Sequence, residues 1–262
     1  MKIRTFIKRV IDKTIRKRPC CPDLSVLEHL RSKGQSYLSN AAVLEMDLLP
    51  KLGLNNEWLH QIPEELHPFC GQGVYAWQYP NQFSKYLVKL SEFKIESYLE
   101  IGIHHGGTFI ITLEYLKKFH PLQYAVGVDI EPCPVLLEYG PANPNVNFML
   151  ADSQSRLFKE FIKTHSAFDL VFIDGDHDED VCQRDFDNIK DKANIFILHD
   201  IISESVSGPG KVWRRIKSKY SRDYHFFEFT EQYESVKKRT GKSYLGAGMA
   251  VKRSFMEKQA AR

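Results

Sequence analysis

The chain has 262 residues, 43% of them hydrophobic, and a formal net charge of +3. That length suits one large α/β domain with an appendage, and no apolar run approaches the roughly 20 residues of a membrane span. Residues 1–18 hold eight Lys/Arg and a single acid, Asp12, a local charge of +7 that leaves the rest of the chain at −4. A mildly acidic body argues against a nucleic-acid channel.

In residues 1–18, Ile3, Phe6, Ile7, Val10, Ile11 and Ile15 recur at helical spacing, with the basic residues mostly on the other face. The segment reads either as a helix lying on an anionic membrane surface or as one packed on the body. Cys20, Cys21, Cys70, Cys133 and Cys182 show no metal spacing. With no signal-peptide pattern, they are expected to be reduced thiols in a cytoplasmic protein, at most peripheral at the inner membrane surface. Residues 1–73 are expected to form this basic helix and a helical cap, with helices over 24–30 and 41–49, and Pro50, Pro63 and Pro68 breaking up the rest. Residues 71–82 form a polar aromatic loop leading into a helix over 82–93. Trp77, Tyr79 and Gln82 in it either cover a ligand pocket or fasten the cap.

From residue 97 onwards, strands and helices alternate. Strands are expected at 97–101, 123–129, 146–150, 168–173, 193–198, 223–229 and 243–252. Helices are expected at 108–119, 132–138, 154–165, 178–190 and 209–219, and a loop at 231–242. The pattern predicts a Rossmann-like, mostly parallel seven-stranded sheet with helices on both faces and an antiparallel last strand, occupying residues 74–262.

The ends of the expected strands are acidic. Strand 97–101 holds Glu100 and runs into Gly102 and Gly106, with the spacing Glu-x-Gly-x-x-x-Gly. Glycines let the backbone approach a ligand, and a helix start offers free N–H groups. The spacing differs from the Gly-x-Gly-x-x-Gly of pyrophosphate binders and points to a nucleoside without phosphates. Asp129 ends the second strand, where an acid suits two ribose hydroxyls. Asp152 lies past the third strand and suits an adenine amino group, while Glu100 suits an ammonium. Asp174 ends the fourth strand and His199-Asp200 the fifth. Each acid alone is as well explained as a helix N-cap; the succession is not. Ribose, adenine and ammonium without phosphate describe S-adenosylmethionine.

Glu100-x-Gly102-x-x-x-Gly106, Asp129, Asp152 and the segment 168–177 (Phe-Asp-Leu-Val-Phe-Ile-Asp-Gly-Asp-His) together resemble a class I S-adenosylmethionine-dependent methyltransferase over residues 75–252. The Asp-Gly-Asp-His segment, the later His-Asp and Val212-Trp213 resemble a narrower group, the small-molecule and sugar O-methyltransferases related to cephalosporin-hydroxylase-like proteins. That resemblance implies O-methylation of a small-molecule or glycan acceptor in surface-polysaccharide or glycosylated natural-product pathways. Its metal-dependent members place their ligands at the ends of the fourth and fifth strands, which implies Asp174, His199 and Asp200 here, holding Mg²⁺ or Mn²⁺. His199 departs from the usual pair of oxygen ligands. An imidazole there shifts preference towards Mn²⁺, Fe²⁺ or Zn²⁺, unless it points away.

The same resemblance places a catalytic base three residues after Asp174, at His177, whose imidazole is suited to accept a proton near neutrality. Capping the next helix or ligating the metal are its other readings. His104 and His105, inside the glycine loop, receive no role. The acids from Asp174 to Asp180 fail as a calcium loop, because Glu179 stands where glycine is needed and Asp185 where a bidentate glutamate is needed. Two competing readings are a metal phosphohydrolase, which leaves Glu100, Asp129 and Asp152 unexplained, and a catalytically silent binding protein at a membrane. The oligomeric state is left open, a homo-oligomer included.

Overall fold

A computed structural model describes residues 22–260. The basic segment 1–18 and the Cys20-Cys21 pair lie outside the described residues. Among those described, no helix is long and apolar enough to cross a membrane.

Seven strands form one sheet: β1 (Ser97–Ile101), β2 (Tyr124–Asp129), β3 (Val146–Leu150), β4 (Phe168–Ile173), β5 (Ala193–Leu198), β6 (Tyr224–Phe229) and β7 (Ala247–Lys252). Their spatial order is β3-β2-β1-β4-β5-β7-β6. Strands β1 to β5 pair in parallel, and β7 runs antiparallel to both β5 and β6. The connecting helices are α1 (Pro80–Leu90), α2 (Gly107–Leu116), α3 (Pro134–Tyr139), α4 (Arg156–Thr164), α5 (Glu179–Ile189), α6 (Gly208–Lys219), α7 (Glu234–Thr240) and α8 (Arg253–Ala260).

Central strands such as β5 are near-continuous apolar runs because helices cover both of their faces. Alternate residues of β1 therefore enter different cores. Tyr98 packs with α1, α2 and α3. Leu99 and Ile101 pack with Phe158 of α4, Phe186 of α5 and Trp213 of α6. The cap belongs to the first of these cores, where Leu27, Leu30, Leu38, Leu44, Leu48 and Leu52 meet Phe83, Tyr86, Phe109 and Leu113. Arg31 of the cap adds an ion pair at 2.8 Å to Glu114 of α2.

The parallel sheet, its helices and the antiparallel last strand agree with expectation, and four elements differ. Residues 231–242 contain α7 rather than only a loop, closed by Gly241 in the left-handed conformation. Only Val236 of α7 is buried, so little apolar periodicity marks it. The last strand starts at Ala247 rather than 243, because Leu245 (φ 59°) and Gly246 (φ 94°) break the extended backbone. The cap helix continues past Pro50. A π-helical turn (Leu44–Leu48) precedes the short helix Leu49–Leu52, whose start holds the proline. A proline ring clashes with the carbonyl four residues earlier, and the wider turn makes room for it. The C-terminal α8 had no counterpart in the sequence reading.

Candidate active site

In the order β3-β2-β1-β4-β5, the chain reverses direction across the sheet between β1 and β4, and in open α/β sheets ligands bind at that crevice, beyond the carboxyl ends of the strands. Glu100 and Gly102 stand on one side of the crevice and Asp174 on the other. All three line one cleft with Trp77, His104 and His105, enclosing about 250 Å³ of empty space including its mouth.

Gly102 brings the two sides together. Its φ is +83°, and a Cβ there would lie 2.2 Å from the Asp174 carbonyl oxygen and 2.6 Å from the Gly175 Cα. Only glycine permits both the dihedral and the approach. Gly106, also left-handed at φ +82°, caps the start of α2, where a Cβ would strike Val135 and Cys133.

Glu100 is 1% exposed and accepts a hydrogen bond from the Tyr98 hydroxyl. Burial pushes its carboxyl well above the ordinary value, and the nearby Asp174 and Asp129 push it further. Asp129 Oδ2 accepts the His104 N–H at 2.7 Å, so it fixes the far end of the glycine loop. Asp152 is exposed, and its Oδ1 accepts from the Gln154 N–H at 2.6 Å in a turn leading into α4. It does not line the cleft.

Asp174, His199 and Asp200 converge, one ligand atom from each lying within 4.8 Å of the others. The pairing of β4 with β5 sets their strand ends side by side. His199 Nδ1 is 2.9 Å from Asp174 Oδ1 and 3.7 Å from Asp200 Oδ2. His199 is 1% exposed and its Nε2 has no hydrogen-bond partner. Asp200 adopts φ +58°, a strained conformation for a non-glycine residue at a strand end. His177 Nε2 lies 2.9 Å from Asp200 Oδ2 and 3.9 Å from Asp174 Oδ1.

The charges in this cluster balance by proton sharing. Burial alone would raise the Asp174 carboxyl, but His199 and His177 beside it hold it below the usual range. Burial works against charge on His199, yet Asp174 and Asp200 outweigh it and raise the imidazole. His177 responds the same way: burial opposes its charge, and the two carboxylates push it up to about 10. In this arrangement the His177 imidazolium neutralises the carboxylates. Two carboxylates and an imidazole with ligand atoms within 4.8 Å of one another fit a divalent cation of the Mn²⁺ or Zn²⁺ type.

Beside the first cleft, a second cavity of about 260 Å³, its opening included, is lined by Asn55, Gln61, Trp77, Gln78, Tyr79 and Leu245. Trp77 therefore lines both. Gln78 is 5% exposed and neither of its amide atoms has a partner; the Asn55 Nδ2 is equally buried and unpaired. The other two aromatic-loop residues fasten the cap and the last strands. The Tyr79 hydroxyl donates to the Gln61 carbonyl, and Gln82 accepts from the Gly246 N–H at 3.0 Å while donating to the Glu231 carbonyl at 2.7 Å.

Sequence reasoning missed Glu57, whose carboxylate faces His104 and His105, and Asp185, buried beneath Gly175. Asp185 enters the sequence analysis only as the residue that fails the last position of a calcium loop. Its place between apolar Cys182, Phe186 and Ile189 on one helical face was the available signal.

Residues 99–201 match a family described as a methyltransferase domain. That segment is similar to a methyltransferase domain. The O-methyltransferase from Bacillus cereus, solved in complex with S-adenosylhomocysteine, has the same fold: TM-score 0.50, 15% identity, covering 95% of this chain and 97% of that one. The O-methyltransferase TomG of Streptomyces achromogenes, involved in tomaymycin synthesis, aligns with TM-score 0.48 and 16% identity, covering 68% of this chain and 81% of that one. No curated protein sequence matches the chain. The matched residues 99–201 run from β1 and the glycine loop to the His199-Asp200 pair.

Proposed function

We propose that this protein transfers a methyl group from S-adenosylmethionine to a hydroxyl of a sugar, glycan or other small hydroxylated molecule. The observation that carries the reading is the shared cleft, with Glu100 and Gly102 on one wall and Asp174 on the other. The structure of the Bacillus cereus enzyme with S-adenosylhomocysteine supports the choice of cofactor.

In this reading Glu100 receives the cofactor ammonium and Asp129 the ribose hydroxyls, while Gly102 and Gly106 let the backbone lie against the nucleoside; Asp152, outside the cleft lining, would meet the adenine amino group only where the base extends past β3. Bound S-adenosylmethionine supplies an electrophilic methyl group. Asp174, His199 and Asp200 would hold a divalent cation, Mn²⁺ or Mg²⁺, which when bound would lower the pKa of a hydroxyl beside it. A cation there would offset the two carboxylates that raise the His177 imidazole, and so would ease loss of its proton. Its Nε2 is then free to accept the proton of the acceptor hydroxyl.

The second cavity supports a hydroxylated acceptor. Buried amides of Gln78 and Asn55 lack partners that hydroxyls can supply, and the Trp77 ring offers a flat apolar face between the two cavities. The cytoplasm suits such an enzyme, with residues 1–18 as a contact to the inner membrane surface.

The test is S-adenosylhomocysteine release with a panel of monosaccharides, sugar nucleotides and phenols, with and without chelator. Release with hydroxylated acceptors that is abolished by chelator and restored by Mn²⁺ supports the whole reading. Release unaffected by exhaustive chelation removes the cation, and absence of S-adenosylmethionine binding by calorimetry removes the cofactor.

A further inference from the structure

We propose that Glu57, His104 and His105 form a second metal site, for a Zn²⁺-class ion, that ties the cap to the glycine loop at the mouth of the cleft. The donor atoms come from two segments. Glu57 lies in the cap, next to Asn55, which is buried and whose Oδ1 accepts the Glu57 N–H at 2.7 Å. His104 and His105 lie in the glycine loop, which Asp129 pins through the His104 N–H.

His105 Nε2 is within hydrogen-bond distance of Glu57 Oε1, and the spacing of all three donor atoms also suits an ion between them. Glu57 Oε1 is 3.4 Å from His104 Nε2 and 3.2 Å from His105 Nε2. Charge-assisted N–H···O bonds are shorter, about 2.7–2.9 Å. A tetrahedral Zn²⁺ with bonds of about 2.0–2.1 Å separates neighbouring donor atoms by roughly 3.3–3.4 Å. All three donor atoms lie within 4.8 Å of one another.

The ring geometry agrees: the two imidazole centroids lie 3.8 Å apart, with the rings tilted by 45°. Neighbouring residues of an extended chain point to opposite sides, and here the left-handed backbone of His104 (φ 49°) turns both rings the same way. Such a conformation costs on the order of 1 kcal/mol or more at a non-glycine residue and persists where the surroundings enforce it.

Two imidazoles and one carboxylate suit Zn²⁺, Co²⁺ or Ni²⁺ better than Mg²⁺. His104 is 52% exposed, so a further coordination position faces solvent. The cluster is separate from Asp174, His199 and Asp200, and its existence does not depend on methyl transfer.

The experiment uses the full chain without cofactor. Zn²⁺ stoichiometry is measured by equilibrium dialysis for wild type, Glu57→Gln, the His104→Ala/His105→Ala double variant and Asp174→Asn. Co²⁺ spectra are recorded in parallel, and circular dichroism confirms that each variant is folded. Wild type should bind one more Zn²⁺ than Glu57→Gln or the double variant, or bind that ion at least about 100-fold more tightly. The Co²⁺ bands that remain in Asp174→Asn should be lost when Glu57→Gln is added to it, and should weaken in Glu57→Gln alone. Equal Zn²⁺ binding in wild type, Glu57→Gln and the double variant overturns the proposal, as do Co²⁺ bands indifferent to Glu57→Gln.

Discussion

Replacing Gly102 by alanine should separate the two walls of the cleft, and the size of the effect follows from the geometry. The new Cβ would lie 2.2 Å from the Asp174 carbonyl oxygen, 2.5 Å from its carbon and 2.6 Å from the Gly175 Cα. All three are backbone atoms, so no rotamer change relieves the overlap, and the β1 and β4 loops must part by about 1 Å to reach ordinary contact. Holding alanine at φ +83° costs about 1–2 kcal/mol, and the forced backbone shift roughly 1–3 kcal/mol. The total, about 2–5 kcal/mol, is a large share of a typical folding stability and corresponds to a fall in Tm on the order of 10 °C. Gly140 is the control, because its φ is −57° and nothing lies within 4 Å of its added Cβ. Differential scanning fluorimetry and calorimetry with S-adenosylhomocysteine should show Gly102→Ala destabilised and at least about tenfold weaker in binding, about 1.4 kcal/mol, with Gly140→Ala like wild type. If Gly102→Ala melts and binds like Gly140→Ala, the close approach of the two loops is not what forms the cleft.

Two further outcomes test other parts of the site. His177→Ala should lose turnover while keeping S-adenosylhomocysteine affinity in calorimetry; retained turnover would exclude His177 as the base. Asp185→Asn should stabilise the protein. Asp185 is fully buried, its Oδ2 has no partner, and burial raises its carboxyl to about 6. A folded-state value above the unfolded one means the native state binds more protons, so stability falls as pH rises from about 4 through 6. The variant, which cannot ionise, should therefore gain on the order of 2–3 kcal/mol at pH 7.5 and progressively less towards pH 4.5. Urea unfolding at several pH values measures this, and a gain independent of pH would show that ionisation is not its source.

The sheet was legible because its strands are short apolar runs between glycines and acids, as burial on both faces requires. The strand-end residues followed from topology: once the strands are parallel, Glu100, Asp129, Asp174 and Asp200 must stand along one edge. The cap was less legible. Its leucines occupy brief 3-10, α and π turns, each too short for periodicity to reveal. Glu57 was invisible for a different reason. Nothing in a loop acid announces that folding brings it to histidines 47 and 48 positions later, and such contacts are made by tertiary packing alone. The protonation state of His177 was also beyond reach, because it depends on two carboxylates that only the folded chain assembles.

The leucines of the cap have a consequence for the order of events during synthesis. They leave the ribosome early, yet much of the surface that buries them, Phe109 and Leu113 of α2 among it, is made some 60 to 80 residues later. At about 5–20 residues per second the nascent chain carries an uncovered apolar stripe for several seconds. Release of the cap from chaperones should therefore coincide with the emergence of α2, and a ribosome-bound chain ending before residue 107 should still be held by them.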